Sequence, residues 1–246
     1  MKYFVCADIH GCWKALKDAV NKYGYLDGNP NHQLIVCGDS FGRAASCRED
    51  VLNVYRYLSS QLHYNPPIVL RGNHENIILD AIKRGYCTYL DCRNGEDKTI
   101  AALADTTQFE ARVAGVMQKV AANYPDFEPW LKSLPYYFET KNHVFVHGWI
   151  PRAADMQWFR EANEQEWIDA TWVETDYQIA CMPENGYEKT LVFGHWGTWL
   201  LRGADWQDDD AHGMWIDERR KLVGLDNTTC VSHRIEMYVV EDEPVE

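Results

Sequence analysis

The chain has 246 residues and a formal net charge of −13, with 37 acidic against 24 basic side chains. That balance, with no clustered Lys/Arg run, excludes a general nucleic-acid binder or a binder of anionic membranes, because both displace counterions with grouped cations. No apolar run approaches the roughly 20 residues that span a bilayer, and a motif residue already at position 8 leaves no signal peptide to expect, so a cytoplasmic protein is expected.

No Pro/Gly/Ser-rich linker or repeat divides the chain, and residues 1–246 are expected to form a single domain. Cysteines at 6, 12, 37, 47, 87, 92, 181 and 230 lack the spacing of paired ligands and read as reduced thiols. Asp208-Asp209-Asp210 and the acidic tail at 241–246 read as solvated surface, since neither has the alternation and glycine of a calcium loop.

In chain order, residues 3–7 form a short apolar run that ends on Asp8-Ile9-His10-Gly11. Residues 13–23 follow with Trp13, Leu16, Ala19, Val20 and Tyr23 at helical spacing. A second strand over 33–37 delivers Gly38-Asp39-Ser40-Phe41-Gly42-Arg43, and 48–61 repeats the helical pattern at Val51, Leu52, Val54, Tyr55 and Leu58. A third strand over 67–70 ends on Gly72-Asn73-His74-Glu75. Asp8 to Asp39 and Asp39 to Asn73 are each about the thirty-odd residues of a strand-helix-strand unit, so the motifs recur at the carboxyl edge of one sheet, where such sheets carry ligands. A mostly helical segment over 97–134 follows, read either as a substrate wall or as a cover packed on the sheet. Val144-Phe145-Val146 and Leu191-Val192-Phe193 are further apolar strands, delivering His147-Gly148 and Gly194-His195. Leu225-Asp226-Asn227 supplies a closing strand and turn.

In this order the pieces resemble the calcineurin-like metallophosphoesterases, specifically their phosphoprotein phosphatase branch, and Leu70-Arg71-Gly72-Asn73-His74-Glu75 is the most specific match. The resemblance implies an α/β protein, a four-layer α/β/β/α sandwich with two mixed sheets. It also implies two divalent transition-metal ions, manganese first, with iron, zinc, cobalt or nickel as alternatives. In the family pattern Asp8 and His10 hold the first metal, Asp39 bridges, and Asn73, His147 and His195 hold the second, a mixed N/O set unlike that for calcium. The reaction implied is attack of a metal-bridging hydroxide on a phosphate ester. His74 is then the general acid at the leaving oxygen. Arg43 grips phosphoryl oxygens, with Asn73 also at the substrate.

The substrate expected is a phosphorylated serine/threonine protein. A symmetric dinucleoside tetraphosphate is the alternative, because hydrolases of that type share nearly the same motifs. A scaffold that has lost catalysis is the second alternative, and intact His74 with a full ligand set argues against it. Taken singly, an aspartate after a strand is often a turn residue and a lone histidine often structural. Turn chemistry, however, does not call for histidine at 10, 147 and 195 together with Asn-His-Glu at 73–75.

The chain departs from the branch at two points. Gly42 stands where an aspartate usually orients the general acid, so His74 is expected to be a weaker acid or to be held by another carboxylate. Glu174 stands where Trp-x-Arg usually supplies a second phosphate-binding arginine, leaving Arg152, Arg160 and Arg202 as candidates. Arg71 and Glu75 are expected to support the site, with Arg71 paired to a carboxylate. Trp149 and Trp196, beside Gly148 and His195, are read as core packing or as a cleft wall for a flat group.

Overall fold

The structure, a computed structural model, describes residues 1–43, 47–151, 158–172 and 188–245. The first sheet is begun by β1 (Lys2–Cys6), β2 (His32–Val36) and β3 (Ile68–Val69), all parallel. Helices α1 (Trp13–Tyr23) and α2 (Arg48–Ser59) make the crossovers, as their apolar spacing predicts. α2 stops two residues short of the expected end because Ser60 turns extended and the Ser59 hydroxyl donates back to the Tyr55 carbonyl.

After β3 come α3 (Asn73–Arg84), α4 (Tyr89–Asn94), α5 (Glu96–Ala104), α6 (Val116–Asn123) and α7 (Phe127–Ser133). The second sheet holds β4 (Tyr137–Glu139), β5 (His143–Val146), β6 (Thr190–Phe193), β7 (Trp215–Asp217) and β8 (Leu222–Gly224), with α8 (Glu164–Ala170) on its outer face. Its order is β4-β5-β6-β8-β7, with β5, β6 and β8 parallel and the edge strands antiparallel. The last strand, β9 (Tyr238–Glu241), returns antiparallel to β1, so the first sheet reads β3-β2-β1-β9.

Period-two alternation builds the four layers. Phe4, Cys6, Leu34 and Val36 face the helices, and Tyr3, Val5, Ile35 and Cys37 face the other sheet. On the second sheet Val144, Val146, Leu191, Phe193 and Leu222 face α8, while Phe145, Val192 and Val223 meet the first sheet. Strands buried on both faces carry few polar residues, which is why they read as continuous apolar runs. Residues 97–134 lie in the helical cover, whose Ile100, Leu103, Val120, Phe127 and Leu131 pack into the same core as α1 and α2. Among the described residues no helix is long and apolar enough to cross a membrane.

The two sheets are locked at their carboxyl ends. His195 N–H donates to Asp8 Oδ2 at 2.9 Å, and His147 Nδ1–H donates to the Cys37 carbonyl at 2.8 Å. Gly194 permits that approach, since a Cβ there would lie 2.3 Å from Asp8 Oδ2.

At the opposite end Asp242, just past β9, accepts from Thr140 Oγ1 (2.6 Å), Asn142 N–H (3.0 Å), Asn142 Nδ2 (2.7 Å) and His143 Nδ1 (2.7 Å), tying the first sheet to the start of β5. Burial pushes its carboxyl up, but these hydrogen bonds outweigh burial and hold it below the usual carboxylate range. A carboxylate with a lowered folded pKa stabilises fully above its unfolded value of about 4, and that contribution disappears as pH falls through the folded value. Asp242→Asn is therefore expected to lose about 1–3 kcal/mol at pH 7. Urea unfolding should show the gap to wild type narrowing as pH drops below about 4.

Candidate active site

Each motif must turn sharply between a strand and the segment after it. Asp8, His10, Asp39 and His195 meet that demand in the left-handed region, at φ 54°, 49°, 53° and 67°. Aspartate and histidine enter this region more readily than other non-glycine residues, and such positions persist only where the surroundings fix them. Here the loops after β1 and β2 zip together, His10 N–H to Asp39 O at 3.0 Å and Gly11 N–H to Ser40 O at 2.8 Å. The buried Glu75 carboxylate clasps the next two motifs by accepting N–H bonds from Asp39 (2.9 Å), Gly72 (2.8 Å) and Ser40 (2.8 Å). β2 lies between β1 and β3, so Asp39 stands between the Asp8–His10 turn and Asn73.

The imidazole tautomers follow from what their second nitrogens touch. His10 Nδ1 donates to the Phe41 carbonyl at 2.9 Å and His147 Nδ1 to the Cys37 carbonyl, because a carbonyl only accepts. Each neutral ring then presents a bare Nε2 lone pair, the state in which histidine binds metal. His147 Nε2 faces Asn73 Oδ1 at 2.8 Å and Asp39 Oδ1 at 3.3 Å, so acceptors converge on one point. A cation satisfies all of them, whereas one proton satisfies a single pair.

Ligand atoms of Asp39, His147 and His195 lie within 4.8 Å of one another, as do those of His10, Asp39 and His74. Asp39 belongs to both groups. Asp8 sits beside them, buried, with its Oδ2 held by the His195 N–H.

Electrostatics point the same way. Burial pushes the Asp8 and Asp39 carboxyls well above the usual range, with repulsion from Asp226 and from each other adding at Asp8, and from Glu75 and Asp226 at Asp39. Burial also drives His10 down to about 3, His147 to about 4 and His195 well below its ordinary value. Neutral imidazoles and crowded buried carboxylates form a donor set that divalent cations would stabilise, and the residues present fit such ions.

Arg43, exposed at the rim, extends its charge over Asp8, Asp39, His10, His74, His147 and His195. Its backbone is tied to the helical cover: Arg43 N–H donates to Asn94 O at 2.8 Å, and Lys98 Nζ donates to Arg43 O at 2.8 Å. His74 is buried, with Nε2 3.7 Å from Asp39 Oδ2. Its Nδ1 lies 2.5 Å from Glu96 Oε1.

Several expected contacts fall elsewhere. Arg160 pairs with Glu139, and Arg202 donates to the carbonyls of Ala211, Gly213 and Met214, so both candidate arginines are engaged by protein partners. Arg152 and Glu174 lie outside the described residues. Arg71 pairs with Glu164 at 3.2 Å, stacks over Tyr136 and donates to Lys132 O, bracing the turn before Asn73 from outside the site. Trp149 is core, packed against Phe193. Trp196 is half-buried and meets the His195 ring edge-on at 4.8 Å, while exposed Trp172 lies 6.2 Å away on the same ring.

Sequence reasoning named neither Glu96 nor the part played by Asp226, whose buried carboxylate adds to the charge crowding at Asp8 and caps the Thr228 N–H at 2.7 Å. The missing aspartate at position 42 was the one sign that a carboxylate had to arrive from elsewhere.

The model of the calcineurin-like phosphoesterase family matches residues 1–222, and the chain belongs to that family of phosphate-ester hydrolases. It is similar to a cold-active protein tyrosine phosphatase, with TM-score 0.60 and 15% identity over 98% of this chain and 73% of that one. It is also similar to a provisionally named diadenosine tetraphosphatase, with TM-score 0.52 and 16% identity over 97% and 92% of the two chains. A protein serine/threonine phosphatase from Saccharomyces cerevisiae matches with TM-score 0.51 and 15% identity over 100% and 81%. At such identities the likeness is one of fold. No curated protein matches the chain by sequence.

The Glu75 clasp carries a direct test. Glu75→Gln replaces one acceptor oxygen with a donor facing buried N–H groups, and a loss on the order of 2–4 kcal/mol in urea unfolding is expected. A change under about 0.5 kcal/mol, the size of an ordinary surface substitution, would show that the turns hold without it.

Proposed function

We propose that this phosphoesterase is a dinuclear enzyme acting on phosphorylated serine/threonine proteins. The observation that carries the dinuclear reading is the convergence of two ligand groups on Asp39, with the Nε2 of His147 turned onto Asn73 and Asp39 oxygens by its backbone hydrogen bond. In this reading Asp8, His10 and Asp39 hold one ion, and Asp39, Asn73, His147 and His195 hold the other. Manganese is the first choice, since the N/O donor set suits such transition metals. Two bound ions supply an acidified water and neutralise the phosphoryl oxygens. Arg43 holds the phosphate from the rim, Asn73 adds to its binding, and His74 donates a proton to the leaving oxygen.

The assignment to a phosphoprotein phosphatase is supported by the motif order and by the phosphatases that share the fold. One observation favours a dinucleoside tetraphosphate instead: Trp172 and Trp196 set two indoles around the exposed side of His195, a surface on which a base could stack. A net charge of −13 opposes so anionic a substrate at long range. The single-domain, cytoplasmic reading belongs to the same proposal.

After reconstitution with Mn, about two ions per chain are expected by elemental analysis, and Asp39→Asn should lose metal together with most activity. Metal content at background in the wild type would overturn the dinuclear reading. The substrate is settled by kcat/KM for a phosphoserine peptide, p-nitrophenyl phosphate and diadenosine tetraphosphate measured side by side. A preference for the dinucleotide of about 100-fold or more, about 2.7 kcal/mol in transition-state binding, would replace the phosphoprotein assignment.

A further inference from the structure

The general acid of this site is held by a residue outside all the motifs. Glu96 is the first residue of α5, fully buried, with Oε1 2.5 Å from His74 Nδ1. Its other oxygen, Oε2, has no hydrogen-bond partner among the described residues. Gly42, at φ 88°, explains why the carboxylate comes from there, because a Cβ at position 42 would lie 2.2 Å from His74 Nδ1 and 2.9 Å from Cε1. An aspartate at 42 and the present His74 position exclude each other. The space is taken by the imidazole itself, turned toward α5.

The loop carrying Gly42 and Arg43 docks on the same helix start. Gly42 N–H donates to Thr99 Oγ1 at 3.2 Å, Arg43 N–H to Asn94 O, and Lys98 Nζ to Arg43 O. Gly95, at φ 89°, lies so close that a Cβ there would be 2.7 Å from the Arg43 backbone. One helix terminus therefore fixes both the phosphate-gripping loop and the partner of His74.

We propose that Glu96 is the positioning residue of the general acid: it anchors His74 through Nδ1, aims Nε2 at the leaving oxygen, and takes over from α5 the task that an aspartate at position 42 would perform. The inference rests on the role given to His74 above. In the step concerned, a water oxygen forms its bond to phosphorus as the ester P–O bond breaks. The bonding pair leaves on the ester oxygen, and the Nε2 proton moves onto that oxygen. Nδ1 stays hydrogen-bonded to Glu96 throughout, and His74 is reprotonated by the proton released from the attacking water.

The test uses full-length protein reconstituted with Mn and the variants Glu96→Gln and Glu96→Asp. Glu96→Gln should lower kcat on a phosphoserine peptide by about 10²-fold or more, within the range of general acid catalysis, and kcat on p-nitrophenyl phosphate by less than about 10-fold, because that leaving group needs little protonation. KM and Mn content should stay at wild-type values, and Glu96→Asp should recover part of the loss. Independently of turnover, a downfield exchangeable proton from the His74–Glu96 hydrogen bond is expected in the NMR spectrum of the metal-free wild type, and it should vanish in both Glu96→Gln and His74→Asn.

Equal losses on the two substrates, or a fall in bound Mn in Glu96→Gln, would overturn the inference by making His74 a metal ligand or Glu96 a structural residue. So would unchanged kinetics on both substrates. A wild type with bound Mn that hydrolyses none of these phosphate esters would overturn the reading of the active site itself, which separates that failure from this one.

Discussion

Asp39 is the point on which the two halves of the molecule depend. Its carboxylate accepts the His74 N–H at 3.0 Å and faces His147 Nε2 at 3.3 Å, while its own N–H is held by Glu75. The first sheet brings Asp8, His10 and Asn73 to it, and the second brings His147 and His195. A buried carboxylate without cations is held in its neutral form, so the geometry at Asp39 makes sense as a place for charge that the chain does not itself supply. The left-handed turns at Asp8, His10, Asp39 and His195 follow from the same demand: four side chains must leave their strands within a short turn and still meet.

Much of this was legible in the sequence because it is local. A strand buried on both faces appears as an apolar run, and the residue after it is delivered to the sheet edge, so Asp8, Asp39, Asn73, His147 and His195 could be placed from strand and motif alone. Their convergence required knowing that the two sheets meet at their carboxyl ends, and that came from the resemblance. The helices over 13–23 and 48–61 were legible from periodicity, since each presents one apolar stripe to the core.

What stayed hidden is what local pattern does not encode. Glu96 meets His74 across 22 positions, through a helix start that carries no motif. Trp149 and Trp196 occupy equivalent places beside Gly148 and His195, yet one is core and the other borders a candidate ligand. Only the packing of Phe193 and the exposure of His195 separate them. Arg160 and Arg202 looked available because sequence shows charge without showing partners; Glu139 and three backbone carbonyls claim them.

The helical cover is where this chain departs most in chemical terms from the pattern it resembles. With an aspartate at position 42, His74 and Arg43 would both be set by the loop after β2. With Gly42, that loop relies on α5: Thr99, Lys98 and the Asn94 carbonyl hold its backbone, and Glu96 lies against His74 Nδ1. Burial pushes the Glu96 carboxyl up to about 8 and His74 well below its ordinary value, so in this desolvated place each finds its hydrogen-bond partner in the other. Ile100 and Leu103, buried in the core beneath α5, thereby fix the register of Glu96 and Lys98. The placement of His74 and of the Arg43 backbone is consequently coupled to how one helix packs, rather than to one loop acting alone.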